Sequence, residues 1–392
     1  MKNFIFVSPN FPDSYRYFCK ELKKDGFNVL GIGDCPYDEL NFELKECLTE
    51  YYKVSDLENY DEVYRAVAFF IHKYGRIDFL ESNNEYWLER DAALRTAFNI
   101  TSGYGLSRVK AVKYKSKMKK YYEKAGIKAA RHYLVKSLAG CKKFIEKVDY
   151  PVIVKPDNGV GANATYKIKN ENELVDFMSG KPQGYIMEEY IDGIVNSYDA
   201  IVDGSGNPVF ETGLCETASI MDIVNNGENS LYYYLPEIPD DIRAAGRAVL
   251  KAFGVKNRFV HFEFFRLTRD QYIGKKGEVV ALEVNMRPAG SPSTDMMDYA
   301  NSTDVYKIWA DTLAYGSTSV GCGRKYFCGF VSRRDGKTFA HTEEEIKAKY
   351  ALNLKSAERV PKVLSAAMAD FSFIANFDTK KEMQEFFNYV TE

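Results

Sequence analysis

Two stretches decide how this chain is read: Phe259-Val260-His261-Phe262-Glu263-Phe264-Phe265-Arg266 and Val279-Val280-Ala281-Leu282-Glu283-Val284-Asn285-Met286-Arg287-Pro288-Ala289-Gly290. Both are rich in β-branched and aromatic residues and predict strands. Side chains alternate across a strand, so Glu283, Asn285 and Arg287 share one face. Glu263 and Glu283 are equally far from Ile273, beside the Gly274 to Gly277 turn. A hairpin about that turn sets Glu263 opposite Glu283. Two carboxylates and one amide oxygen then converge. Facing carboxylates repel unless a cation or a proton relieves them. An all-oxygen set suits Mg²⁺, which keeps waters and bridges nucleotide phosphates. Arg287 adds a planar fork able to grip a carboxylate or an acyl phosphate. The competing reading is a solvated sheet face, and apolar neighbours on both strands weigh against it. His261 shares the Glu263 face and reads as a packed or hydrogen-bonded neighbour of the metal site.

Upstream, Pro151-Val152-Ile153-Val154-Lys155-Pro156-Asp157-Asn158-Gly159-Val160-Gly161-Ala162-Asn163 is an apolar strand that delivers Lys155 into a loop of small residues. Exposed backbone N–H groups in such a loop can cradle phosphate, and the lysine adds a point charge. It is not a Walker A loop, because no Gly-Lys-Ser/Thr opens a helix. Lys115 begins a helix that ends at Gly126, with Met118, Tyr121, Tyr122 and Ala125 on one apolar stripe. Its other lysines form a solvated basic face. Ile186-Met187-Glu188-Glu189-Tyr190-Ile191-Asp192-Gly193 is a strand in which Glu188 and Glu189 face opposite ways.

Residues 1 to about 105 alternate strand and helix: strands at 4–7, 28–33 and 77–80, helices at 15–25, 60–74 and 85–99. This rhythm predicts a small doubly wound parallel sheet. Its first strand-to-helix turn, Ser8-Pro9-Asn10-Phe11-Pro12, has no glycine, which excludes a dinucleotide fingerprint. From about 150 onward, short strands and glycine turns predict an antiparallel α+β arrangement. The tail from 324 carries strands near 326–332 and 366–375, each followed by a capping box, Thr342 with Glu345 and Thr379 with Glu382. A net charge of -2 excludes a general nucleic-acid or membrane-surface binder. No apolar run is long enough for a membrane span. Seven scattered cysteines without a C-x-x-C pair read as free thiols in a reducing cytoplasm, and the four histidines do not cluster with them as zinc ligands.

These features in this order resemble the ATP-grasp superfamily, with motifs over roughly residues 105 to 315. The resemblance implies an α/β plus α+β fold: an N-terminal domain over 1–110, a lid subdomain over 111–192, and a C-terminal subdomain over 193–392 that includes the extension. It implies that ATP is held by Lys115, Lys155, the loop Gly159, Gly161, Ala162 and Asn163, and the adenine hinge Glu188, Glu189 and Ile191. Glu263, Glu283 and Asn285 correspond to the Mg²⁺ ligands, for which Mn²⁺ is the substitute metal, and Arg287 and Lys155 to the catalytic cations. Two positions depart from the family pattern. Tyr114 stands where an aspartate is usual, and Val195 where many relatives have a glutamate, although Ser197 and Asp199 remain.

Within the superfamily the chain looks most like the carboxylate-amine ligases. That implies small-molecule carboxylate and amine substrates, an acyl phosphate, and release of ADP and phosphate. Many such relatives are dimers. Bicarbonate activation of the biotin-carboxylase type and a non-catalytic ATP-binding regulator are the alternatives. Substrate contacts are expected from Glu216, Arg287, Gly290 and Arg333. Glu81-Ser82-Asn83-Asn84-Glu85 also ends a strand of the first domain, but a helix N-cap by Asn83 or Asn84, with Glu85 in the first turn, is the favoured reading there.

Overall fold

The apolar run Asn3–Val7 forms β1, buried at every position. The computed structural model describes residues 1–159, 164–217, 227–290 and 292–392. β1 lies between β2 (Asn28–Gly33) and β4 (Phe79–Glu81), with β3 (Glu50–Lys53) outside β2, all parallel. The chain steps outward through β2 and β3, then returns to the other side of β1. The switch point therefore falls between β1 and β4, where such sheets open a crevice at their carboxyl ends. Helices α1 (Tyr15–Lys24), α2 (Phe42–Cys47), α3 (Tyr60–Tyr74) and α4 (Leu88–Ala97) complete this unit. The sequence pattern did not announce α2 and β3, because both are short and β3 is only half-buried. The expected N-cap is corrected: α4 starts at Leu88, and Trp87, not Asn83 or Asn84, precedes it without a side-chain cap. The Asn84 side chain instead accepts from the Tyr86 N–H, closing a local turn.

Next come α5 (Leu106–Lys113) and α6 (Lys115–Ala125), then a second unit of β5 (His132–Leu134), α7 (Leu138–Val148), β6 (Val152–Pro156), β7 (Tyr166–Ile168), α8 (Glu171–Ser179) and β8 (Tyr185–Glu189). Its antiparallel sheet runs β5-β8-β6-β7. The third unit is a nine-stranded sheet of β9 (Gly193–Val202), β10 (Pro208–Thr212), β11 (Leu214–Glu216), β12 (Leu231–Tyr234), β13 (Arg258–Leu267), β14 (Val279–Asn285), β15 (Phe327–Arg333), β16 (Leu354–Arg359) and β17 (Phe371–Phe377). The order is β14-β13-β9-β11-β12-β15-β17-β16, with β10 beside β9. The tail thus continues the sheet rather than forming one of its own.

Helix α9 (Asp240–Phe253) covers one face of β9, where Gly246 lets it come close: a Cβ there would lie 2.2 Å from Tyr198 Cγ. Met118 and Tyr122 of α6 are buried in that same core, each burial worth roughly 1.5–3 kcal/mol. The lysine helix therefore packs on the larger body, and the second sheet begins only at β5. Helices α10 (Ser293–Asn301) and α11 (Val305–Tyr315) cover the opposite face. The first domain docks there through Phe18, whose ring centroid lies 4.7 Å from that of Tyr306 and 4.9 Å from that of Trp309. In the tail, α12 (Glu343–Lys349) and α14 (Lys380–Thr391) both open with the expected capping boxes. The second expected strand begins later, at Phe371, because Ser365–Met368 turns as the short helix α13. No helix among the described residues is long and apolar enough to cross a membrane.

A buried charge cluster joins the first domain to the large sheet. Glu81 pairs with Arg95 at 2.6 Å and with Arg258. Arg95 donates to the carbonyls of Leu80 and Tyr104, and Arg258 to that of Met286. Asp91 accepts from the Ser82 N–H and hydroxyl. Burial raises the Asp91 carboxyl from 3.8 to about 6, with Arg95 opposing the rise and Glu81 adding to it. A carboxyl whose folded pKa is raised contributes stability in full below its unfolded pKa, and that contribution is lost as pH rises to the folded one. Asp91→Asn removes this titration. Denaturant unfolding of both proteins should show the variant gaining on the wild type by about 2–3 kcal/mol between pH 4 and pH 6. A difference that does not change with pH would contradict the assignment.

Candidate active site

The hairpin of β13 and β14 has the register that equal spacing from Ile273 requires: Glu263 faces Glu283 and His261 faces Asn285. Just beyond this pair the register shifts, with Phe264 opposite Ala281. A bulge of this kind bends the strand and re-aims side chains, as is common beside active sites. Glu263, Glu283, Asn285 and Arg287 line one cleft of about 340 Å³, together with Lys115, Lys155, Glu188 and Glu216. Strand β6 delivers Lys155, and the start of α6 delivers Lys115.

The charges interlock. Lys115 pairs with Glu283 at 3.0 Å and donates to the Gly159 carbonyl at 3.0 Å. Asp157 fixes the start of α6, accepting from the Ser116 N–H at 2.7 Å and the Ser116 hydroxyl at 2.7 Å. Gly159 is needed in that turn, because a Cβ would lie 2.9 Å from Pro156 Cβ. Gly161, Ala162 and Asn163 lie outside the described residues.

Lys155 pairs with Glu188 at 2.7 Å, and Lys119 pairs with the same carboxylate. Burial alone would push the Lys155 ammonium down, but Glu188 and Glu283 outweigh it and hold the group above its ordinary value. Burial likewise opposes ionisation of Glu188, yet Lys119 and Lys155 keep its carboxyl well below the usual range. Both groups are therefore charged at neutral pH. Lys119 was not singled out from sequence, because it sits on a helix face that reads as solvated. Glu189 turns away, accepting from the Arg131 N–H at 2.7 Å and from Arg131 Nε at 2.8 Å. Ile191 and Val195 also line the cleft.

His261 bridges Asp199 at 2.7 Å and Glu263 at 3.1 Å, and the Ser197 hydroxyl donates to Asp199. Burial disfavours an imidazolium, but Asp199 and Glu263 raise His261 to about 10. His261 therefore holds Glu263 in place, and Ser197 and Asp199 are engaged in that support. Burial, with Glu263 adding to it, raises Glu216 to about 8. This acidic group is short of positive charge, and two carboxylates plus an amide oxygen fit Mg²⁺. Bound Mg²⁺ would supply that charge and act as a Lewis acid toward phosphate oxygens.

Two expected substrate residues lie elsewhere. Gly290 is exposed and does not line the cleft. Arg333 is buried at the end of β15, donating to the carbonyls of Val390 at 2.6 Å and His341 at 2.6 Å. Its guanidinium secures the C-terminal helix instead.

Residues 115–233 match the family described as ATP-grasp domain. The chain is 25% identical over 233 residues to the carbamoyl phosphate synthase large chain of Thermoanaerobacter pseudethanolicus, a match covering 55% of this chain and 20% of that protein. It thus spans about a fifth of the length of such curated relatives. The L-amino acid ligase of Bacillus licheniformis superposes with a TM-score of 0.73 at 16% identity, covering 99% of this chain and 96% of that one. The N5-carboxyaminoimidazole ribonucleotide synthetase of Thermotoga maritima gives a TM-score of 0.66 at 15% identity, covering 98% and 96%. The biotin carboxylase of Campylobacter jejuni gives 0.65 at 15% identity, covering 97% and 89%. With the motif residues gathered in one cleft and this fold spanning the whole chain, the protein belongs to the ATP-grasp superfamily.

Proposed function

We infer that the protein is an ATP-dependent, ADP-forming ligase that activates a small-molecule carboxylate as an acyl phosphate for capture by an amine. The observation that carries this reading is the in-register pair Glu263 and Glu283, with Asn285 and Arg287 on the same face and Lys115 and Lys155 across the cleft. Phosphoryl transfer needs charge neutralisation and in-line positioning more than covalent help from the protein. Lys155 and Lys115 neutralise the transferring phosphate. Arg287 orients the carboxylate that receives it. Glu263, Glu283 and Asn285 hold Mg²⁺, or Mn²⁺ in its place. Glu188 and Glu189 lie on the strand leading into the adenine hinge, which reaches Ile191. A closed cleft protects the acyl phosphate from water.

The purified protein should release ADP only when ATP, a divalent cation, a carboxylate and an amine are all supplied. ATP binding without ADP release across broad amino-acid and dipeptide panels would count against the reading. Bicarbonate activation is the second reading, favoured by the fold shared with biotin carboxylase. It requires ADP release that depends on bicarbonate and biotin, with no need for another carboxylate.

A further inference from the structure

The crevice at the switch point of the parallel sheet holds polar groups that the chemistry above does not use. Asn83 and Glu85 follow directly on β4, and both are at least nine-tenths buried, at 3% and 4% exposure. Among the described residues, the Asn83 side-chain nitrogen and one Glu85 oxygen have no hydrogen-bond partner. Asn83 adopts a left-handed conformation, with φ at 51°, and the Tyr15 hydroxyl donates to its carbonyl at 2.5 Å. Strained, well-braced backbone of this kind clusters at ligand clamps. The other Glu85 oxygen meets Lys113 at 3.2 Å, and Lys113 also donates to the Glu85 carbonyl. Lys113 stands two residues before Lys115, which holds Glu283. The α5–α6 junction thus anchors both carboxylates, one at each end of the same opening.

The charges of Arg287 and Glu283 both act on the Glu85 carboxyl. Burial nevertheless raises that carboxyl above its ordinary value, against Lys113 and Arg287. This is the mark of an acid short of partners. Arg287 meanwhile donates to the Pro288 carbonyl and weakly to Asn285, and among the described residues no carboxylate pairs with it. One end of the opening therefore offers a buried acceptor, and the other an unclaimed guanidinium with an amide nitrogen.

We propose that Glu85, Asn83 and Arg287 form a subsite for a zwitterionic substrate, an α-amino acid whose ammonium group docks on Glu85 and whose carboxylate lies between Asn83 and Arg287. This rests on the ligase reading and names the class of carboxylate that it activates. Placing the carboxylate at Arg287 brings it beside the Glu283 and Asn285 end of the hairpin, where the phosphate is received. Bicarbonate has no cationic group and would leave the Glu85 oxygen unpaired. A site built around a hydrogen bond to one group rejects analogues that lack it far more strongly than a merely apolar pocket does.

The test is calorimetric titration of the full chain, preloaded with Mg-ADP, with each of the twenty proteinogenic L-amino acids and with the matching des-amino carboxylates. At least one amino acid should bind, and its des-amino analogue should bind about 100-fold more weakly or worse. Glu85→Gln should weaken the same amino acid by a similar factor while leaving Mg-ADP affinity within about twofold. The des-amino comparison uses the wild-type chain, so it holds even if the variant folds poorly. No binding by any amino acid, equal binding of the des-amino analogue, or an unchanged affinity in a folded Glu85→Gln protein overturns the subsite. ADP release assayed in parallel separates the two ideas. Release that is unaffected by Glu85→Gln sinks the subsite and leaves the ligase standing. Amino-acid binding that depends on Glu85 without any ADP release does the reverse.

Discussion

Glu283→Ala should lower turnover by at least about 10³-fold, measured as substrate-dependent ADP release, while the far-UV circular dichroism spectrum stays that of the wild type. Removing one well-placed electrostatic group from a phosphoryl or acyl transfer site commonly costs about 10²–10³-fold. Glu283 should exceed that range because two functions fail together. The divalent cation loses one of its two carboxylates, and Lys115 loses the partner that holds its ammonium 3.0 Å away. Glu283→Gln separates the two functions, because it keeps the shape and an oxygen ligand but removes the charge. It should retain more activity than alanine, and excess Mg²⁺ or Mn²⁺ should recover part of the loss. The hairpin itself should survive, since its pairing rests on backbone bonds and on the buried Phe262, Phe264, Val280 and Val284. Turnover unchanged in Glu283→Ala would remove the ligase reading and leave a non-catalytic ATP-binding protein.

The second large effect concerns stability. Glu81→Ala leaves Arg95 and Arg258 buried, at 1% and 3% exposure, without the carboxylate that joins them. Removing one partner of a buried ion pair costs about 3–5 kcal/mol, mostly from the charge left behind. The loss should appear as an early denaturant transition reported by the first domain. Because Arg258 also donates to the Met286 carbonyl, the end of β14 should loosen as well. Activity in the surviving folded fraction should fall with it, since Arg287 is the next residue. Glu81→Gln keeps two hydrogen-bonding positions and should lose less. Equal stability of Glu81→Ala and wild type would show that the cluster does not tie the domains together.

How much of this could be read beforehand depended on how local the cause was. The Glu263 and Glu283 register follows from counting residues to a turn, and the strand period does the rest. The α6 stripe and both capping boxes are likewise local patterns. Glu85 was misjudged because Asn-Asn-Glu after a strand carries the same local signal as a helix start. Only the tertiary structure shows that α4 begins three residues later and that Lys113 reaches Glu85 from another helix. Lys119 was hidden among lysines that do face water. Arg333 suggested a substrate contact because Ser-Arg-Arg-Asp-Gly resembles an exposed turn. It belongs instead to a strand covered by α14, whose orientation no local pattern encodes. β3 and β16 were missed because short, half-exposed strands lack a clean alternation.

The continuity of the nine-stranded sheet has a mechanical consequence. The metal-binding hairpin at one edge and the C-terminal extension at the other are joined through an unbroken ladder of backbone bonds. The four-stranded sheet that carries Lys155 has a ladder of its own and joins the rest of the chain only before β5 and after β8. The cleft is therefore built like a vice with one fixed jaw and one hinged jaw. Opening and closing it is left to the lysine side, so the pace of nucleotide exchange is set by those two short hinges and not by the anvil that holds the metal.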